Sequence, residues 1–131
     1  TQITFMGNEA ITNQTLQSLG LTRDPGKGFL VVGLDRPNLS PAVGASASLD
    51  IAHDSAFILS GFSPSAGSVI PQGGQSFVSF PNTDLGMVTV SATNTSAASP
   101  CGLFPAGVPG TPATVDLRAG EIAVIAFTCP P

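Results

Sequence analysis

Tryptophan and tyrosine are missing from this chain, histidine occurs once, cysteine twice, and only four residues are basic. Each shortage closes a class of function. Carbohydrate recognition on β proteins usually relies on flat aromatic platforms, and the only aromatics here are eight phenylalanines, most of them in apolar, strand-like surroundings. Phe62 and Phe104, each among Gly, Ser and Pro, are the exceptions, and packing under their loops is the simpler role for both. A phosphate-binding surface needs clustered Lys and Arg to release counterions. Arg23, Lys27, Arg36 and Arg118 are instead scattered along the chain, so nucleic acid is not an expected partner. No apolar run approaches the roughly eighteen residues that cross a bilayer. The longest, Ile122 to Phe127, reaches only a fraction of the way, and no membrane span is expected.

The single histidine limits the chemistry further. Serine nucleophiles need a base and an orienting acid. The only base of that kind is His53, beside Asp54 and near Asp50, and no Gly-x-Ser-x-Gly elbow accompanies it. No catalytic residue is assigned, and the chain is not expected to be an enzyme. Asp50, His53 and Asp54 could converge on a divalent cation if their loop curls. Their spacing matches neither an EF-hand nor a zinc signature, and solvated turn residues are the plainer reading. No cofactor is implied.

What is abundant is Gly, Pro, Ser, Thr, Ala and Val, with four basic and eight acidic residues giving a net charge of −4. Such a composition suits short strands and tight turns better than exposed helices with paired charges. At 131 residues the chain fits one domain, 1–131. Ile3 to Met6 reads as a strand. Thr12 or Asn13 caps a short helix with Leu16 and Leu19 on one face and Gly20 at its end. Asp24-Pro25-Gly26-Lys27-Gly28 is a turn. Phe29 to Leu34 is a nearly continuous apolar run, expected as a central strand buried on both faces or covered by the helix on one.

Ala45, Ala47 and Leu49 alternate with Ser46, Ser48 and Asp50, the period of a strand with one wet face, and the small residues are expected to let sheets approach closely. Ala56 to Leu59 and Gly67 to Ile70 are further strands, with Gly61 to Ala66 as the turn between them. Phe77 and Phe80, three apart, fall on opposite faces of one strand, and Val78 with Phe80 is the more apolar pair for the core. Val88 and Val90 face the same core from the partner strand, with Asn82 to Gly86 as the turn. Thr114 to Leu117 and Glu121 to Phe127, joined by Arg118-Ala119-Gly120, are expected as a closing hairpin.

The cysteines are an even pair. Cys101 lies in the Pro/Gly-rich stretch from Asn94 to Pro112, and Cys129 at the end of the last strand. A disulfide is expected, with two buried thiols as the alternative; no second pair or nearby histidine completes a zinc site. Glycosylation triplets stand at Asn13-Gln14-Thr15, Asn38-Leu39-Ser40 and Asn94-Thr95-Ser96, a number that a chain rich in Ser and Thr yields by chance.

Two stretches carry a family resemblance. They are Pro41-Ala42-Val43-Gly44-Ala45-Ser46-Ala47-Ser48-Leu49 and the segment from Gly73-Gly74-Gln75-Ser76-Phe77-Val78-Ser79-Phe80-Pro81-Asn82 through Gly86 to Ala92. Together they resemble the carboxypeptidase regulatory-like domain, a transthyretin-like β-sandwich of secreted bacterial proteins. The likeness is good from Lys27 to Ala92, with a looser echo over Ala113 to Thr128, a family-like core of 27–128. It departs where Pro71-Gln72-Gly73-Gly74 replaces the family's acidic turn and where Met87 replaces an aromatic. The resemblance implies an all-β, transthyretin/Ig-like sandwich of about seven or more strands with one short N-terminal helix. It further implies a secreted, periplasmic or cell-surface setting, with a lipoprotein anchor as one form of it, and a structural or interaction module with a protein or cell-surface partner. A small-ligand or divalent-cation-binding surface domain is the alternative. A bacterial source would leave the glycosylation triplets unmodified.

Overall fold

The computed structural model describes residues 3–5, 26–38, 40–51, 53, 56–60, 63–72, 76–95, 99–103, 110, 112–119 and 122–130. All regular structure among them is β: β1 (Ile3–Phe5), β2 (Gly28–Asp35), β3 (Ser46–Leu49), β4 (Phe57–Ser60), β5 (Ser63–Ala66), β6 (Phe77–Thr83), β7 (Gly86–Thr93), β8 (Gly102–Leu103), β9 (Ala113–Leu117) and β10 (Ile122–Thr128). The helix expected near Thr12 to Gly20 lies outside the described residues, and no helix occurs within them.

The strands form two sheets. The larger has seven strands in the order β1-β10-β2-β6-β4-β5, with β8 also on β10; the smaller has three, β3-β7-β9. Side chains from both meet in one core. Leu30, Val32 and Leu34 from β2, Val78 and Phe80 from β6, and Ile125 and Phe127 from β10 pack with Val88 and Val90 from β7 and Val115 and Leu117 from β9. The alternation in β9, whose burial runs buried-exposed along all five residues, is the one-sided pattern of a sheet with a wet outer face.

β2 and β10 are different, because they pair in parallel along seven residues, from Phe29↔Ile122 to Asp35↔Thr128. Their near-continuous apolar runs suit strands buried on both sides. The inner face feeds the main core. On the outer face Phe29, Phe57 and Ile122 form a second buried cluster, flanked by Val31 and Val124. Phe29 and Phe57 meet edge to face, with ring centroids 6.2 Å apart.

The β6 face is the expected one: Val78 and Phe80 are buried and Phe77 is exposed. Its pairing with β2 shifts register between Gly28↔Thr83 and Leu30↔Phe80, so two residues, Pro81 and Asn82, oppose Phe29. This is a β-bulge. Asn82 takes it up with φ of 48°, and the buried Thr83 hydroxyl donates to the Phe80 carbonyl at 2.9 Å. The turn to β7 is then only Asp84-Leu85, ending at Gly86 with φ of 111°. It is shorter than the Asn82 to Gly86 turn expected. The Lys27 ammonium pairs with the Asp84 carboxylate across this end.

Two expectations are corrected. β9 and β10 form no hairpin, since β9 pairs with β7 in the small sheet and β10 with β2 in the large one. β9 alternates buried and exposed residues while β10 is apolar nearly throughout, and the two lie in different sheets. Second, Ser63–Ala66, expected as part of a turn, is β5, paired with β4 from Phe57↔Ala66 to Ser60↔Ser63. Gly67 to Ile70, expected as a strand, contributes one bridge, Ser46↔Val69. Pro64 has no N–H to give, which an edge strand such as β5 tolerates.

Candidate functional site

A cleft of about 520 Å³ opens where the chain passes from one sheet to the other. After β5 the backbone leaves the large sheet at Gly67, whose N–H donates to the Ala56 carbonyl at 2.9 Å. It then runs along the outer edge of β3. The Ala47 N–H donates to Ser68 O at 3.3 Å, Ile70 N–H to Ala45 O and Gly44 N–H to Ile70 O, both at 2.8 Å. The crossing is thus a fixed strap of backbone, with no mobile hinge needed to shape the opening. Gly44 suits that place, because its φ of 88° strains any residue with a Cβ and the Thr95 methyl, 2.4 Å from where a Cβ would stand, would have to move.

The walls are small. Ala47, Ala56, Ala66 and Gly67 line the gap, and the hydroxyl-bearing Ser48 and Ser68 stand beside them. Of the small residues expected to let the sheets approach, Ala45 and Ala47 are both buried in the core, and Ala47 also borders this space. At its floor lies Phe80, 1% exposed, and the half-buried His53 ring meets it edge-on at 5.0 Å and 80°. The lining combines methyl groups, the Leu49 side chain and an aromatic edge with two hydroxyls and one imidazole. Such a surface can take a small, mostly apolar, uncharged group with one hydrogen-bonding function.

His53 is therefore placed on the cleft and against the core, not in the open turn expected for it. Asp50 is used otherwise: its carboxylate Oδ1 accepts the Thr89 N–H at 2.8 Å, while its own N–H donates to Thr89 O at 3.2 Å. It extends the β3–β7 ladder one step beyond Leu49↔Val90. Asp54 lies outside the described residues, as do Phe62 and Phe104. Among the described residues no three His, Cys, Asp or Glu side chains gather as a metal-binding group.

The second built feature is a clamp at the Cys129 end. Cys101 and Cys129 are joined by a disulfide closing 28 residues, and both are buried. The loop after β2 sits over it. One Arg36 guanidinium nitrogen, Nη1, donates to Asn94 Oδ1 at 3.0 Å, to Cys129 O at 3.2 Å and to Pro130 O at 2.8 Å. Asn94, itself buried, donates through Nδ2 to Ser99 O at 2.6 Å and Pro130 O at 2.7 Å. Its Oδ1 also accepts the Thr95 N–H at 2.8 Å. Three loops are held by one side-chain pair. Nothing in the sequence flagged Arg36 and Asn94 as partners, because a clamp made to backbone carbonyls has no residue spacing of its own.

Comparison with family models, with curated proteins and with solved structures gave no match. No helix among the described residues is long and apolar enough to cross a membrane.

Proposed function

We propose that this chain is a non-catalytic interaction module of an exported or cell-surface protein, of the carboxypeptidase regulatory-like kind, and that the cleft over Phe80 and His53 is its contact surface. The observation that carries the reading is the cleft itself. It is open, framed by a hydrogen-bonded backbone strap, and lined by small residues around Leu49, His53 and Phe80. Its occupant is an uncharged, mainly apolar group the size of one large side chain or a small molecule, with its polar function toward Ser48, Ser68 or His53. The buried disulfide supports the exported setting, since such bonds persist in oxidising compartments.

The test is binding of small aromatic and aliphatic fragments followed by amide chemical shifts in the 15N-labelled protein. Shifts should concentrate on Ala47, Ser48, His53, Gly67 and Ser68, and Ala66→Phe, which fills the exposed side of the cleft, should abolish them. Shifts spread evenly over the surface, or unchanged in Ala66→Phe, would overturn the assignment. The divalent-cation alternative rests on Asp50, His53 and Asp54, and the Thr89 N–H already held by the Asp50 carboxylate weighs against it. Zinc or calcium titration of the same sample decides between the two readings.

A further inference from the structure

The three glycosylation triplets are equivalent as sequence and are not equivalent in the fold. Asn13 lies outside the described residues. Asn94 has its amide nitrogen committed to Ser99 O and Pro130 O and its amide oxygen to Arg36 and Thr95, and it is 9% exposed. A sugar on that nitrogen would displace the clamp over the disulfide. Asn38 is the reverse case. It is exposed, in the short loop whose base is pinned by the Asp35↔Pro41 bridge and by the Arg36 N–H to Ser40 O bond at 2.8 Å. Its amide oxygen accepts the Ser40 N–H at 3.2 Å and the Ser40 hydroxyl at 2.6 Å. Its amide nitrogen, Nδ2, makes no hydrogen bond to any described residue. The acceptor Asn and the hydroxyl residue of the triplet are thus held together, at a protruding tip, with the nucleophilic nitrogen unoccupied.

We propose that Asn38 is an acceptor site for N-linked glycosylation and that the fold closes Asn94 to the same modification. The donor class is a diphospholipid-linked oligosaccharide. A bond forms between Asn38 Nδ2 and the sugar C1 while the bond from C1 to the phosphate oxygen breaks. Lipid diphosphate leaves with the electron pair, and the amide proton passes to a base of the transferase. The proposal rests on the export reading for its compartment and on a source that carries an oligosaccharide transferase, against the bacterial source that the family resemblance implies; the acceptor geometry stands apart from both.

The experiment translates the full chain behind a supplied secretory leader in the presence of microsomes and isolates the folded, oxidised fraction. Glycans are removed enzymatically in 18O-water, which marks each formerly occupied Asn as labelled Asp. Asn38 should carry the label and Asn94 should not. Asn38→Gln and Ser40→Ala should each remove one glycan's mass, and Ser40→Thr should keep it. Asn38→Gln changes an exposed side chain and leaves folding intact, so loss of the glycan reads the site rather than the fold. An unlabelled Asn38, or a labelled Asn94 in the oxidised fraction, would overturn the proposal. Because the leader is supplied, that result would leave the export reading standing; a native chain retained in the cytoplasm would do the opposite.

Discussion

At the scale of single residues, Asn94 and Arg36 together hold the Cys129 end. The Asn94 carboxamide donates to two carbonyls and accepts from two donors in a buried position, and its removal takes the partner from Ser99 O and the Thr95 N–H while Pro130 O keeps its bond from Arg36. Asn94→Ala should cost about 2–3 kcal/mol in urea denaturation, the penalty of stranded buried polar groups. By contrast, the Lys27–Asp84 pair is only half-buried and open to solvent screening, and pairs of that kind contribute little. A small loss in Asn94→Ala together with a large one in Lys27→Met would reverse this ranking. The sequence carried half of the residue-level picture. The disulfide was legible from an even cysteine count and from where the two cysteines stand. Asn94 stood out only as a glycosylation triplet, because its burial depends on Arg36 and Pro130, which are distant in the chain.

At the scale of elements, β7 gives a direct test of facing. Val90 is fully buried between the sheets while Thr89 points the other way. Val90→Ala should cost roughly 1–3 kcal/mol as a large-to-small core change, and Thr89→Ala much less. Equal losses would mean the small sheet is turned over. Strand facing was readable where one side is wet, as in β3 and β7, because period-two alternation encodes the face directly, and in β6, whose outer face is largely covered, from the more apolar pair Val78 and Phe80. Pairing was not. β10 is apolar nearly throughout, and a run with no alternation names neither its neighbour nor its direction, so its parallel union with β2 was invisible and a local hairpin with β9 was the default expectation. β5 was missed for another reason: Ser-Pro-Ser-Ala has the composition of a turn, and only its hydrogen bonding to β4 makes it a strand. The cleft followed from that same crossing, and no spacing of alanines announces an unfilled space.

At the scale of the whole molecule, the disulfide fastens the last strand to the long segment after β7. On the chain-entropy account, closing 28 residues restricts the unfolded chain by roughly 3–4 kcal/mol. The Cys101→Ala/Cys129→Ala double variant should lose stability on that order in urea titration, with the β2 and β6 amides still the slowest to exchange with deuterium. Global loss of exchange protection in that variant would show that the bond is needed for the fold itself. The parallel pairing has a consequence for how the molecule comes into being. β2 is made early and stays without its neighbour β10 until roughly ninety more residues have been synthesised, a separation that places this contact among the slow, non-local ones. Until then β2 can pair with β6 along one edge only, and its other edge stays a row of unpaired backbone groups, a template on which a second chain can pair. The yield of refolding should therefore fall as protein concentration rises.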